Sequence, residues 1–274
     1  MSGMKQKEFV VFDVETTGLS PLSGDRIIEI AAWKIKDLKP TKKFHSLINP
    51  EREISWGAYQ VNGISQAMVA QVPKAKEVLP RFLEFIDGSL LVGHNVKFDL
   101  GFLSHELSLL GLPWEDKTAA IDTIKMARAL LPGLMSYSLA SVSEAFGIEM
   151  NQRHRAMSDV ELTFAVFRHL LENAARKELT SVDVIINLFS YQKNFQQAHD
   201  PAKIALIQEV IQAGQALNLL YFSLSSSATS LRKVTPKKIV GDGAEMILVG
   251  FCHRRKAELS FKVQRILHAE RVTS

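Results

Sequence analysis

An apolar run near the N-terminus, Glu8-Phe-Val-Val-Phe-Asp-Val-Glu15, carries two carboxylates inside what otherwise reads as a buried strand. Its β-branched and aromatic residues predict extended chain, and Thr16-Thr17-Gly18 predicts the turn that ends it. Asp13 and Glu15 are two positions apart, so on a strand both project from one face, about 7 Å apart at roughly 3.3 Å of rise per residue. Burying them is costly unless a partner compensates. Either the strand end meets water, or a cation joins the pair, and hard oxygen donors of this kind suit Mg²⁺ or Mn²⁺.

The pattern around this strand predicts an α/β domain. Further strands are expected at 26–35, 43–48, 89–93 and 119–122, and helices at 75–86, after 122 through 131, at 138–146 and at 158–175. After Asn95, the residues Phe98, Phe102, His105 and Leu109 recur at helical spacing until Gly111. Strands first, then strand and helix in alternation, imply a mixed sheet. Composition changes after Lys177, and residues 192–201 are rich in Gln, Asn and Asp, so 179–200 reads as a linker between a domain at 1–178 and one at 201–274. In the second, a helix at 202–213 precedes short strands at 217–224, 237–240, 246–252 and 259–263, with Gly241-Asp242-Gly243 as a hairpin turn. Short strands of this kind predict a small β-barrel.

The 33 Lys and Arg against 29 Asp and Glu give a net charge of +4, which is uninformative until it is divided along the chain. Residues 1–200 carry −2 and residues 201–274 carry +6, so the basic character lies in the tail. One cysteine, Cys252, excludes an intramolecular disulfide framework and any multi-cysteine zinc site, and reads as a small buried apolar residue in a reducing compartment. Residues 1–7 lack the apolar core of a signal peptide. The uncharged stretches 54–73 and 210–231 are broken by Gln, Asn, Ser and Gly, so no membrane span is expected and a cytoplasmic protein is.

Two more acids extend the strand pair. Asp99 follows Gly93-His-Asn95 at the start of the helix expected there, and Asp159 lies five residues after His154 where another helical pattern begins. Each alone is explained by a helix dipole that favours a first-turn acid. A strand Asp-x-Glu, an Asp after Gly-His-Asn, and a His five residues before the last Asp together resemble the DEDDh branch of the 3′ to 5′ exonucleases, which includes the proofreading epsilon subunit of bacterial DNA polymerase III. The resemblance covers about 7–175 and includes Val61-Asn-Gly-Ile64, Asp122-Thr123 and Ser136-Tyr-Ser-Leu139.

This resemblance implies a ribonuclease H-like fold with a mixed five-stranded sheet flanked by helices. It also implies that Asp13, Glu15, Asp99 and Asp159 hold two divalent cations, Mg²⁺ or Mn²⁺, that clamp the attacking and leaving oxygens of an in-line displacement. His154 would be the general base. Thr16 and Gly18 would meet the terminal nucleotide through the backbone, Leu19 would wedge against a base, and Phe98 and Phe102 would offer stacking surface, although their spacing also suits helix core. His94 is expected beside the active-site strand, among the residues that bind the substrate.

A second resemblance covers about 203–270. Arg232-Lys-Val-Thr-Pro236 and the segment Gly250-Phe-Cys-His-Arg-Arg-Lys256 through Ile266 are similar to the WYL domain, a small Sm-like or SH3-like barrel. Met246-Ile-Leu248 stands where the name-giving tripeptide would be, and Leu259 where Arg is common. Arg232, Arg255 and Arg265 match basic positions and imply a surface for nucleic acid or for a nucleotide ligand. The combined expectation is a metal-dependent exonuclease acting on nucleic acid with a free 3′ end, DNA before RNA, alone or with a polymerase or repair partner. The alternatives are an exoribonuclease, and a nucleic-acid-binding or nucleotide-sensing regulator on a nuclease scaffold.

Overall fold

The computed structural model describes residues 7–112, 114, 119–149, 154–191, 201–242 and 245–272. In chain order the first part comprises β1 (Phe9–Thr16), β2 (Ile27–Lys36), β3 (Lys39–Leu47), α1 (Trp56–Asn62), α2 (Gln66–Val69), α3 (Ala75–Ile86), β4 (Leu90–Gly93), α4 (Val96–Leu109), β5 (Ala120–Asp122), α5 (Thr123–Leu130), α6 (Leu139–Ala145), α7 (Ala156–Arg176), α8 (Val182–Phe189) and β6 (Ser190–Tyr191). The strands form a sheet in the order β3-β2-β1-β4-β5-β6. β1 to β3 are an antiparallel meander, β4 and β5 run parallel to β1, and β6 closes the edge antiparallel.

The alternation of β1 divides the interior in two. Val10, Phe12 and Val14 enter the core shared with α3 and α4, while Phe9 and Val11 enter the core shared with α5, α7 and α8. The ring of Phe9 meets that of Phe167 edge-on at 5.7 Å. Asp13 and Glu15 continue the Phe9 and Val11 parity, so they emerge on the α7 side at the strand's C-terminal end. A slip of one residue would drive both acids into the α3–α4 core, so burial of the two faces fixes their direction.

A mixed sheet flanked by helices is what the sequence predicts, with one more strand than the five expected. The extra strand is the two-residue β6, which with α8 lies inside the segment expected to link two domains. The apolar side chains Val182, Ile185 and Phe189 bury α8 in the first core, so this part of the segment is packed against the sheet. Residues 192–200, the Gln- and Asn-rich stretch, lie outside the described residues.

The C-terminal part is α9 (Pro201–Gln212) followed by a five-stranded antiparallel sheet of β7 (Leu217–Ser223), β8 (Ala228–Val240), β9 (Ile247–Cys252), β10 (Ala257–Lys262) and β11 (Ile266–Arg271). Its order is β10-β9-β8-β7-β11, and among the described residues no pairing joins β10 to β11. Ile207, Val210, Leu217, Val234, Leu248, Phe261 and the buried Cys252 form its core. Gly241 has the positive φ of the expected turn, at 78°, while Gly243 lies outside the described residues.

Phe222 of β7 is fully buried, yet it belongs to the core of the first sheet, and Leu224 and Leu267 pack beside it. Lys177 Nζ donates to the Ser227 carbonyl at 2.6 Å, and Ser227 Oγ donates to the Ala129 carbonyl. The C-terminal sheet is thereby seated on α5 and α7. No helix among the described residues is long and apolar enough to cross a membrane.

Candidate active site

Three of the four acids singled out in the sequence meet closely. Ligand oxygens of Asp13, Glu15 and Asp159 all lie within 4.8 Å of one another. The strand supplies the first two, and the first turn of α7 supplies Asp159 because α7 buries Ala156, Val160, Phe164 and Phe167 against β1 and β2. Asp99 comes from the opposite side, in the first turn of α4, and its Oδ1 accepts a hydrogen bond from the Val14 N–H at 3.1 Å. It is therefore anchored to the backbone between Asp13 and Glu15.

Each carboxyl is pushed toward its protonated form. Burial, then the charges of Asp99, Glu15 and Asp159, raise Asp13 well above the usual carboxylate range. Burial followed by Asp159 pushes Glu15 up to about 8, against a lowering contribution from the Asn62 amide. Burial pushes Asp99 up to about 7 despite the Val14 hydrogen bond. Asp159 is raised by burial and held back by His154. Among the described residues no Lys or Arg forms an ion pair with any of the four. Four carboxyl groups that repel one another and form no ion pair with Lys or Arg among the described residues fit a hard divalent cation.

His154 stands at the mouth of this centre. It adopts a left-handed backbone with φ of 56° and lines a cleft of about 530 Å³ together with Asp13, Asp159, His94, Arg128 and Tyr137. The next residue, Arg155, is held by Glu29 of β2, a carboxylate 1% exposed. Burial raises Glu29, but donors from Arg155, His45 and the Ala156 N–H outweigh it and hold the carboxyl below its ordinary range. His154 and the start of α7 bearing Asp159 are thus fastened to the same sheet as Asp13. Sequence reasoning missed Glu29, although a lone acid in Ile27-Ile-Glu-Ile-Ala-Ala32 carries the same signal as Asp13.

His94 is a bracket between loops. Its Nε2 lies 3.0 Å from the Tyr137 carbonyl, which can only accept, so Nε2 carries the proton, and Nδ1 lies 2.8 Å from Thr123 Oγ1, whose hydroxyl also donates to the Gly93 carbonyl at 3.2 Å. Burial pushes it down to about 4, which keeps it neutral.

The expected nucleotide contacts separate into those at the surface and those beneath it. Leu19 is 87% exposed, as a wedge requires. Thr16 is buried and its Oγ1 donates to the Gly18 carbonyl at 2.6 Å. Gly18 has a structural reason of its own, since a Cβ there would sit 2.4 Å from Oδ2 of Asp25, the carboxylate that ties the turn through Thr17 and Ser20. Phe98 is half-buried with its ring centroid 4.9 Å from that of Phe102. Phe102 is a correction: at 1% exposure it fills the α3–α4 core and has no open face for a base, so its helical spacing reflects packing.

The three basic positions of the tail are not among the residues that line the acidic cleft. Arg232 is half-buried on β8 and donates to Ser230 Oγ, Arg255 is exposed in the turn after β9, and Arg265 is half-buried in the 3-10 turn Val263–Arg265. Arg128 of α5, which sequence reasoning also missed, lines both the acidic cleft and a second cavity of about 470 Å³ against Leu224, Glu245 and Gln264 of the C-terminal part.

Comparison with known proteins agrees with this geometry. The family model described as Exonuclease (RNase T) matches residues 10–167, more than half of the chain and every one of the four acids. The chain belongs to the exonuclease family. The WYL domain model matches residues 202–271 of the same chain. The chain is 40% identical over 178 residues to a DNA polymerase III PolC-type protein of Caldanaerobacter subterraneus subsp. tengcongensis, a match covering 65% of the chain and 12% of that protein. It is 40% identical over 169 residues to the 3′-5′ exonuclease DinG of Bacillus subtilis, covering 62% of the chain and 18% of that protein. The chain therefore spans less than a fifth of either relative's length. Among solved structures, Exonuclease X in complex with 5′ overhanging duplex DNA aligns with a TM-score of 0.50 at 29% identity, over 61% of this chain and 93% of that one. An E. coli ExoI–ssDNA complex aligns with a TM-score of 0.60 at 20% identity, over 90% of this chain and 55% of that one, and so shares the fold beyond the exonuclease region.

Proposed function

We propose that this chain is a metal-dependent 3′ to 5′ exonuclease that hydrolyses the terminal phosphodiester of single-stranded or frayed DNA. The observation that carries the reading is the convergence of Asp13, Glu15 and Asp159 within 4.8 Å, with Asp99 fastened to the Val14 N–H beside them. Asp13, Glu15, Asp99 and Asp159 would hold two divalent cations, which supply Lewis acidity to the scissile phosphate and its leaving oxygen. His154, at the open side of the cleft, takes the proton from the attacking water. The bond from phosphorus to the 3′ oxygen breaks, that oxygen gains a proton, and a nucleoside 5′-monophosphate leaves a strand one nucleotide shorter. Leu19 and the open edge of Phe98 hold the terminal base apart from its neighbour, and backbone groups of Thr16 and Gly18 meet its sugar.

The C-terminal part is read as a WYL-type small barrel, supported by the 3-10 turn Val263–Arg265 that carries the chain from one edge strand to the other. Arg232, Arg255 and Arg265 would meet the phosphates of the strand at a distance from the acids. The PolC-type relatives suggest work beside a polymerase, and action in repair and a place in the cytoplasm belong to the same reading. The test offers a 5′-labelled oligonucleotide with Mg²⁺ or Mn²⁺. A ladder shortened from the 3′ end is expected, and shortening that survives EDTA or Asp13→Ala would overturn the reading.

A further inference from the structure

Helix α1 is built the wrong way round for a helix that serves only packing. Seven residues are too few for a helix to be stable in water by themselves, so burial of an apolar face normally holds such a segment. Here the buried residue is Asn62, while Trp56, Tyr59 and Val61 face solvent. Hydrogen bonds supply the hold. The Ser55 N–H donates to the Thr17 carbonyl at 3.3 Å, Asn62 Nδ2 donates to the Thr16 carbonyl at 3.3 Å, and Ser55 Oγ caps the Ala58 N–H at 3.1 Å. Both ends of α1 are therefore tied to the turn that follows Glu15, and the exposed face is carried at the rim of the acidic centre.

That face is aromatic and has company. Trp56, 73% exposed, lies with its ring centroid 5.6 Å from that of Tyr59, one helical turn on. Of the eleven large apolar side chains exposed among the described residues, six come from residues 19–68, the stretch that contains α1 and the turn it is tied to: Leu19, Leu22, Trp56, Tyr59, Val61 and Met68. Apolar groups clustered at the edge of a site call for an occupant. Arg52, four residues before Trp56, pairs with Asp25 at 3.4 Å, and Lys74 pairs with Glu51, so these two cations are engaged and the exposed groups of α1 are rings. An occupant that presents flat apolar faces and follows a strand into the acidic centre is an unstacked nucleobase.

We infer that Trp56 and Tyr59 form a stacking platform for an unpaired base of the strand whose 3′ end lies at Asp13 and Glu15. The inference rests on the exonuclease reading and adds to it the source of single-strand preference. A base in a duplex keeps its faces against its neighbours, whereas any unpaired base can stack on these rings whatever its identity.

Binding and cleavage test the two readings separately. Fluorescence anisotropy with a 5′-labelled oligo-dT in Ca²⁺ measures affinity, and abasic sites are placed one at a time through the 3′-terminal nucleotides. Trp56→Ala should weaken binding roughly 5- to 150-fold, as expected for loss of one stacked base, and Trp56→Phe should restore most of it. An abasic site at one or two positions should weaken wild-type binding and leave Trp56→Ala unaffected. Wild type indifferent to every abasic position, or Trp56→Ala bound as tightly as wild type, would overturn the platform, and the surface would then belong to a protein partner. Failure of the exonuclease reading would show independently, as a 3′ end left intact in Mg²⁺ and Mn²⁺. Trp56 is largely exposed, so its loss leaves the fold in place.

Discussion

Arg155 grips Glu29 with both arms of its guanidinium, Nε at 3.1 Å and Nη2 at 2.8 Å, and the residue before it in the chain is His154. The carboxylate also accepts from the Ala156 N–H at 3.0 Å, so one buried acid fixes the last residue of the loop and the first of α7. Removing one partner of such a pair leaves the other uncompensated, which costs about 3 to 5 kcal/mol when the pair is buried and less here because Arg155 is part-exposed. Arg155→Ala is expected to lower stability by about 2 to 3 kcal/mol in urea unfolding. It should also reduce kcat at least tenfold with little change in KM, because His154 and Asp159 lose their shared anchor. Arg155→Lys, which keeps charge but not the two-armed geometry, should fall between. Wild-type kcat in Arg155→Ala would remove Glu29 from the working site.

Without cations the acid set makes stability depend on pH with a definite sign. Glu15 titrates at about 8 and Asp99 at about 7 in the folded chain, above the ordinary values of 4.5 and 3.8. The folded state then binds more protons than the unfolded state between those limits, so the contribution is complete below about pH 4 and is lost as pH rises through 7 and 8. Melting temperature in EDTA should fall from pH 5 to pH 8, and Mg²⁺ or Mn²⁺ added at pH 8 should recover it. Asp13→Asn removes one repelling charge, so it should melt higher than wild type in EDTA at pH 8 and gain less from the cation. A wild-type melting temperature that is flat with pH and indifferent to cation would contradict the arrangement of the four acids.

Asp13 and Glu15 were legible because they interrupt the apolar run that begins Phe9-Val-Val-Phe, whereas Asp99 and Asp159 were legible only through the resemblance to the exonucleases. Glu29 interrupts its strand in the same way, but Arg155 is 126 residues away and spacing cannot reveal that partner. The helix α8 hid in a short run whose apolar residues have no second face to set a period, and its burial depends on contact with α5 and the sheet. Strand β11, Ile-Leu-His-Ala-Glu-Arg, reads as polar because it pairs at the edge of the second sheet and buries mainly Ile266. For β8, expected only at 237–240, the strand begins at Ala228 since its outward residues are polar and Pro236 sits at a register shift. The seating of Phe222 in the other unit's core has no sequence signature, because an apolar residue on a strand does not say whose core it fills.

That seating predicts joint unfolding. Phe222 contributes a fully buried ring to the first core from the second sheet, so its removal opens a cavity in one unit and frees the other. Phe222→Ala is expected to cost about 3 to 5 kcal/mol. Calorimetry should show one cooperative transition for wild type and two for the variant. Two transitions in wild type would mean that the sheets do not share a core in solution.

His94 makes the sharpest contrast with His154, since both line the cleft and only one is placed to accept a proton. Both ring nitrogens of His94 are engaged, Nε2 with the Tyr137 carbonyl at 3.0 Å and Nδ1 with Thr123 Oγ1 at 2.8 Å, and burial pushes it down to about 4. A depressed imidazole adds stability above its ordinary 6.5 that is lost as pH falls toward 4, opposite in sign to the carboxyls. Nitrogen-detected imidazole spectra should show His94 as the neutral Nε2–H tautomer without titration from pH 8 to 5. His94→Asn should then leave the acidic limb of the pH–rate profile in place, whereas His154→Ala should reduce kcat by about 10²- to 10⁴-fold. A His94 resonance titrating near 6.5 would show that the ring is open to solvent, and the proton acceptor would have to be sought between two histidines instead of one.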